Sequence, residues 1–506
     1  MANSPHTASI DILDDYSLLN TFYLYRPFVL GEDEDEECGL LGGSGGWDLE
    51  SWWYKLAHVC QRWRNLILGS SSYLGVCLVC SSGTPVADML AHSPSIPLVV
   101  DYYRESEYSD IAAEDEEGLI LALDQRDRVR RIRLRMGITN MQKFITAISG
   151  EYPILEYLII IPFVKNTAFV LSETLRAPHL RHLFLSCFTL PMRSPLLTTA
   201  TGLVTFFLEI SNQATCFQPN SLLHWTSFMP QLETLGVHFS SPFPGRDMHR
   251  LLSRTPTITP VTLPNLRWFW FQGGSAYLEA VVRWITTPRL ERPQVFFFKQ
   301  LTFSVPHLVH LMNITENLQF NSVTVDFSRE QVDTATSFPG NAEIYLYMRV
   351  ICQRLDWQVS SMAQIFHSFR QTFSAVEYLT FSGEEHNHSS EEHNEVDRTE
   401  WYKLFRSFHN VKILHIEYEL VEEISRCLRP DDGDLPSDLF PELQELRYFG
   451  VGYADDAFTS FIDARRIAGR PITVVRRRII LDTSSSTSSY ETISTFGSGS
   501  ESNLDT

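Results

Sequence analysis

Few residue sets in this chain combine the types and spacing that bond-making chemistry needs. Cys77 and Cys80 are separated like paired metal ligands, but no second Cys/His pair follows at a usable distance. Both sit in an apolar, strand-like run and read as core thiols. His386, His388 and His393 stand among Glu384, Glu385, Glu391 and Glu392, a set able to chelate a divalent metal loosely. Nothing apolar is there to fix the ligands, so a solvated acidic insertion is the better reading. Gly42-Gly43-Ser44-Gly45-Gly46 matches a hydrolase nucleophile elbow in spacing, yet no strand precedes it and it reads as linker. No Gly-Lys-Ser/Thr phosphate loop occurs, and no pair of carboxylates is placed by its neighbours for acid/base work. We therefore expect a non-enzymatic chain with no cofactor and no metal.

The residues that remain are suited to recognition. In RVRRIRLRM, Arg131, Arg133 and Arg135 alternate with Ile132, Leu134 and Met136, which makes one side of a strand basic in an acidic protein. Two readings stand: a contact for an acidic partner, or a solvated surface paired with the acids between Asp110 and Glu117. In Leu266-Arg267-Trp268-Phe269-Trp270-Phe271 the same alternation exposes Trp270, either as an anchor for a partner or as an aromatic buried in an irregular repeat.

Such residues need strands to carry them, and one pattern supplies the strands. Apolar-x-x-apolar-x-apolar recurs at Val129/Ile132/Leu134, Leu155/Leu158/Ile160, Leu180/Leu183/Leu185, Leu203/Phe206/Leu208, Leu232/Leu235/Val237 and Leu266/Phe269/Phe271. It continues at Phe298/Leu301/Phe303, Phe320/Val323/Val325, Val376/Leu379/Phe381, Val411/Leu414/Ile416 and Leu443/Leu446/Tyr448. Proline leads several of these, at Pro153, Pro178, Pro230, Pro264 and Pro441. The long gap from Phe320 to Val376 holds a further strand-like run, Ile344 to Val350, and a helix-like Ser360 to Phe373. Units of this size cannot bury an apolar edge alone, so they must stack into a curved array whose strands form a parallel sheet. Residues between the apolar positions then face outward: Arg133, Ile159, Phe184, Phe207, Trp270, Thr302, Thr324, Thr380, His415 and Arg447.

Upstream the organisation changes. Leu13, Leu18, Leu19 and Phe22 read as a first helix that Asp11 or Asp14 can cap, ending before Pro27. Six acids, Glu32 to Glu37, and the glycine run form a solvated insertion over about residues 28–46. The spacing of Leu56, Val59, Cys60, Trp63 and Ile67 predicts one amphipathic helix from Trp52 to Leu68.

The leucine-paired helix, the segment KLAHVCQRWRNLI, the small run Gly69 to Ser72 and a strand at Gly75 to Val79 together resemble the F-box, the adaptor-binding module of SCF ubiquitin ligases. VCLVCSSGTPVADMLAHSPSIPLVVDYY and CQRLDWQVSSMAQIF are similar to segments of a large fungal family of F-box proteins with leucine-rich-repeat-like C-terminal regions. The resemblance implies an α+β chain, with an F-box-like helical module over 1–75 and an irregular leucine-rich-repeat-like solenoid over 76–478, while the Ser/Thr-rich composition of 479–506 predicts a disordered tail. It further implies that Leu13, Leu18, Leu19, Phe22, Leu56, Val59, Cys60, Trp63 and Ile67 hold a Skp-type adaptor and, through it, a cullin. An unknown protein substrate would meet the repeats, with Arg131, Arg133, Arg135, Trp270, His415 and Arg447 as candidates on that face. The alternative is a scaffolding repeat protein that recruits no ligase.

Composition fits recognition of proteins. The 506 residues carry a net charge of −20, which disfavours nucleic acid and anionic membranes as partners. Hydrophobic residues make up 44% and aromatics 12%, enough for a large core. Eight scattered cysteines read as reduced thiols, and no apolar run is long enough to cross a bilayer, so a cytoplasmic or nuclear location is expected.

Overall fold

The computed structural model describes residues 13–26, 52–93, 95–103, 111–242, 259–315, 320–338, 344–383, 397–417, 420–429, 439–450, 457–480 and 489–495. The acidic and glycine insertion and the histidines at 386, 388 and 393 lie outside them. The chain divides into two compact units, Met1–Cys216 and Phe217–Thr506, each a mixed α/β arrangement dominated by parallel strands.

The first unit opens with four helices, α1 (Asp15–Tyr25), α2 (Trp52–Ala57), α3 (Gln61–Gly69) and α4 (Ser71–Leu74). Asp14 caps α1, its Oδ1 accepting from Ser17 N at 2.7 Å. The single helix expected from Trp52 to Leu68 is broken at His58–Cys60. Cys60 is extended, and its Sγ accepts from Trp63 N at 3.5 Å as the N-cap of α3. Two short helices can do what one straight helix cannot. Trp53 of α2 is buried and donates its indole N–H to the Cys77 carbonyl at 3.0 Å, while α3 turns Ile67 inward.

The strands that follow are β1 (Leu78–Ser81), β2 (Leu98–Tyr103), β3 (Val129–Met136), β4 (Tyr157–Pro162), β5 (Phe169–Val170), β6 (His182–Ser186), β7 (Phe188–Thr189) and β8 (Thr205–Ile210). β1, β2, β3, β4, β6 and β8 pair in that order, every pair parallel, and β5 pairs with β7 in a separate ribbon. Parallel pairing requires a crossover between strands; α5 (Val86–His92), α6 (Ala113–Asp124) and α7 (Ile138–Ala147) supply three of them.

The second unit contains β9 (Thr234–Phe239), β10 (Val261–Thr262), β11 (Trp268–Gly273), β12 (Ile285–Thr286), β13 (Arg292–Phe298), β14 (Ser322–Phe327) and β15 (Gln331–Ser337). β16 (Leu346–Ile351), β17 (Tyr378–Gly383), β18 (Ile413–Glu417), β19 (Glu445–Gly450), β20 (Thr473–Ile480) and β21 (Ser489–Thr495) complete it. Its spatial order departs from chain order in the long gap noted above. β13 pairs with β16, β16 with β15, β15 with β14, and β14 with β17, and only β15 runs antiparallel to its neighbours in this stretch. β21 pairs antiparallel with β20 inside the stretch that reads as a disordered tail.

Ten of the eleven apolar triads hold buried positions at the start of, or within, these strands. The leading prolines have a local role. Tyr152, Ala177, Met229, Leu263 and Phe440 each accept a hydrogen bond from the amide three residues on, and that third residue is the first apolar position of a triad. Proline is favoured at the second position of such a turn because its ring already fixes the required φ.

The eleventh triad is misplaced. Leu301 is 93% exposed, and Thr302 lies in a loop beyond β13. The true unit begins at Leu290, whose amide closes the same turn onto Thr287 around Pro288, and it continues through Pro293 and Val295.

Helices cover one strand face. In the second unit Phe381 lies 6.0 Å from Trp401 and 5.8 Å from Phe405, both on the helix Arg398–Phe405, and Phe327 lies 5.8 Å from Trp401. Trp225, Trp401, Tyr277 and Phe373 are fully enclosed there. Burying each such ring contributes about 2–3 kcal/mol from area alone.

Candidate functional site

Three surfaces carry the candidate residues, and the N-terminal helices form the first. Leu18 and Phe22 face α3 and are 1% exposed, with the Phe22 ring edge-on to Trp63 at 4.8 Å. Arg62 ties the two helices, donating to Asp15 Oδ1 at 2.8 and 3.0 Å and to the Leu13 carbonyl at 2.6 Å. Leu18, Phe22 and Ile67 are therefore module core, while Leu19, Leu56 and Trp63 are half-buried.

The opposite side of α1 is apolar as well. Tyr16, Tyr23 and Leu24 lie within about a third of a helical turn of one another, Leu13 precedes the N-cap, and exposures run from 40% at Leu13 to 79% at Leu24. Val59 is 58% exposed and Cys60 is exposed, both in the turn between α2 and α3, so the five-residue stripe expected of one continuous helix does not form. Tyr16, Tyr23 and Leu24 escaped the sequence reading. The signal was present in their spacing, seven and eight residues on from Tyr16 and so two helical turns along, on the side of the helix away from Leu18 and Phe22.

The second surface is the helix-free face of the first unit. Arg131, Arg133 and Arg135 do share a side of β3, as alternation requires, but each is engaged. Arg133 is 3% exposed and makes two hydrogen bonds to Asp101 on β2, at 2.7 and 2.9 Å. Arg131 lies over the Tyr157 ring at 4.6 Å, and Arg135 donates to Tyr103 Oη at 2.6 Å while lying over that ring at 5.0 Å. The partner acid is Asp101, not one of the acids between Asp110 and Glu117.

Ile159, Phe184 and Phe207, expected to face outward beside Arg133, are buried, with Phe184 and Phe207 stacked at 4.5 Å. One row further, His182 stacks on Tyr157 at 4.1 Å, and its Nδ1 lies 3.1 Å from Thr205 Oγ1. Burial, and then the charges of Arg181 and Arg131, hold its pKa down at about 4. This face is largely occupied by its own side chains.

The third surface is the corresponding face of the second unit. Strand register places Trp270, Gln294, Tyr347, Ala335, Thr324, Thr380, His415 and Arg447 side by side in one row. Five positions expected to face outward, Trp270, Thr324, Thr380, His415 and Arg447, thus come together although up to 177 residues apart in sequence. Trp270 is half-buried between His238 and Phe296, each ring 5.1 Å away. His415 packs on Phe449 at 4.9 Å, and its Nε2 lies 3.6 Å from Glu417. Arg447 is held by Glu445 at 2.8 and 3.2 Å.

Cys80 and Cys352 are buried rather than activated. Burial pushes Cys80 up to about 11 and Cys352 up to about 12, the direction opposite to that of a nucleophile or metal ligand. Among the described residues no group of three or more His, Cys, Asp or Glu could hold a metal ion, and no helix is long and apolar enough to cross a membrane. Comparison with known protein families finds no match, and neither does comparison with curated protein sequences.

Proposed function

We propose that the chain is the substrate-recognition subunit of an SCF-type ubiquitin ligase. Its N-terminal helices act as an F-box-like module that holds a Skp-type adaptor and, through it, a cullin. The strands behind them act as a leucine-rich-repeat-like solenoid that takes a protein substrate. Ubiquitin transfer belongs to other subunits, and this chain contributes proximity, which raises the effective concentration of a substrate lysine.

One observation carries the reading: α1 has two apolar sides and folding buries one of them. Leu18 and Phe22 are buried, while Tyr16 and Leu24 on the other side are largely exposed and Tyr23 is half covered by the Tyr73 ring at 5.5 Å. A contiguous exposed apolar patch costs solubility and commonly marks a docking surface. The adaptor-facing set on this geometry is Leu13, Tyr16, Tyr23, Leu24 and Val59, with Leu18, Phe22 and Ile67 as its support.

The test is capture of a purified Skp-type adaptor by the full chain, repeated with Leu24→Asp and Tyr16→Asp. Wild type captures the adaptor and each variant weakens capture at least tenfold without changing the far-ultraviolet dichroism. Failure of the wild-type chain to capture it overturns the ligase reading in favour of the scaffolding one.

A further inference from the structure

The helix-free face of the second unit is uneven. In the row that runs from Trp270 to Arg447, Ala335, Thr324 and Thr380 occupy three adjacent strands between Tyr347 on one side and His415 on the other. Small side chains on three neighbouring strands leave a low floor about 10–15 Å wide between taller flanks. At the far flank His415, Arg447, Phe449 and Val475 line, with Tyr448, a shallow hollow of about 50 Å³ that opens to solvent. A hollow of this size takes the end of one apolar side chain of a partner, and its walls are mostly apolar.

The next row sets the charge. Arg349, Asp333 and Asp326 are neighbours there, and Arg349 is already paired with Asp333 at 2.6 Å. Asp326 accepts from Ser382 Oγ at 2.7 Å, so its carboxylate leans across β17 toward Glu417 on β18. Burial, and then the Asp326 charge, raise the Glu417 pKa. Among the described ion pairs neither carboxylate is paired with a lysine or arginine, and His415 Nε2 lies 3.6 Å from Glu417. The floor is thus flanked by two carboxylates that no described lysine or arginine pairs with, in a chain of net charge −20.

We propose that this face docks an extended basic segment of a protein partner. A lysine or arginine of that segment sits over Ser382 between Asp326 and Glu417, and an apolar side chain two residues away enters the hollow at His415, Phe449 and Val475. Side chains two apart in an extended chain emerge on the same side at about 7 Å, and the long Lys or Arg stem spans the rest of the two-strand separation, roughly 10 Å, between Ser382 on β17 and the hollow at β19. An acidic segment would meet like charge at both carboxylates, and an uncharged one would desolvate them without return. The inference rests on the reading that these strands meet a protein partner, and it adds the chemistry of that partner.

Selection of a displayed random-peptide library on the immobilised full chain at about 0.3 M salt, where long-range attraction is screened, tests it. The expected outcome is enrichment of Lys or Arg with an apolar residue two positions away, and at least a tenfold loss of that enrichment on the Asp326→Asn/Glu417→Gln chain. Both substitutions keep side-chain volume, and thermal unfolding of the double variant serves as the folding control. An acidic or uncharged consensus, no enrichment at all, or equal Lys/Arg enrichment on the double variant overturns the proposal. Adaptor capture measured on the same preparations separates the two readings. Peptide selection without adaptor capture removes the ligase assignment and leaves the basic-segment site standing, and the reverse result does the opposite.

Discussion

Arg133 and Asp101 face each other on adjacent parallel strands as a two-bond ion pair, with the Arg133 side chain 3% and the Asp101 side chain 12% exposed. A guanidinium in that position is tolerable only while its carboxylate is there. Asp101→Asn leaves the cation buried against Tyr103 and is expected to cost roughly 3–5 kcal/mol, whereas Arg133→Met combined with Asp101→Asn restores much of the loss. Denaturant unfolding of the two single variants and the double variant checks this. Additive losses in the double variant would show that the pair contributes little beyond packing.

His182 supplies a pH-dependent term with a definite sign. Its folded pKa of about 4 lies below the ordinary 6.5, so between these values the unfolded chain binds a proton that the folded chain refuses. Stability therefore falls as pH drops from about 6.5 to about 4, by a few kcal/mol at most, on the order of 1.4 per unit of pKa difference. His182→Phe keeps the stack on Tyr157 and removes the titration. The difference in unfolding midpoint between pH 7 and pH 4.5 is expected to shrink in this variant. An unchanged difference would place the acid sensitivity elsewhere.

The corrected repeat boundary near β13 makes a paired prediction. Leu290 is fully buried and closes the turn around Pro288, whereas Leu301 is 93% exposed. Leu290→Ala is expected to cost about 2–5 kcal/mol through lost burial and a residual cavity, and Leu301→Ala to change stability by less than about 0.5 kcal/mol. Comparable effects of the two substitutions in thermal unfolding would restore the Phe298/Leu301/Phe303 assignment.

The strands were readable because burial imposes a period, and a period survives in sequence. Leu180, Leu183 and Leu185 or Val411, Leu414 and Ile416 announce a strand whatever lies around them. The reading slipped at residues 296–303, where Phe296, Phe297 and Phe298 run together and the apolar template fits in more than one register; Pro288 ahead of Leu290 was the better guide. The break in the Trp52–Leu68 helix was hidden because a thiol caps it, and cysteine is outside the residue types that usually signal a helix start. Alternation correctly told which side of β3 the arginines share. It could not tell that Asp101, 32 residues earlier, would lie beside Arg133, since that proximity is made by strand order. Tyr16, Tyr23 and Leu24 were missed for a related reason: a second apolar side on a helix looks like more core until the first side is seen to be satisfied.

The doubling back of β14, β15 and β16 has a consequence for how this protein is made. In a simple array each strand finds its template in the strand synthesised just before it, so order can spread from the N-terminus as the chain emerges. Here the edge of β13 is completed by β16, whose first paired residue is Tyr347, and the edge of β14 waits for β17 at Tyr378. Closing those loops precedes any reward from pairing, so growth of the sheet pauses at Phe298 until about fifty further residues have left the ribosome. During that interval β13 offers an open hydrogen-bonding edge, with Phe296, Phe297 and Phe298 along it, and this strand is the point at which a nascent chain most needs protection from pairing with another copy of itself.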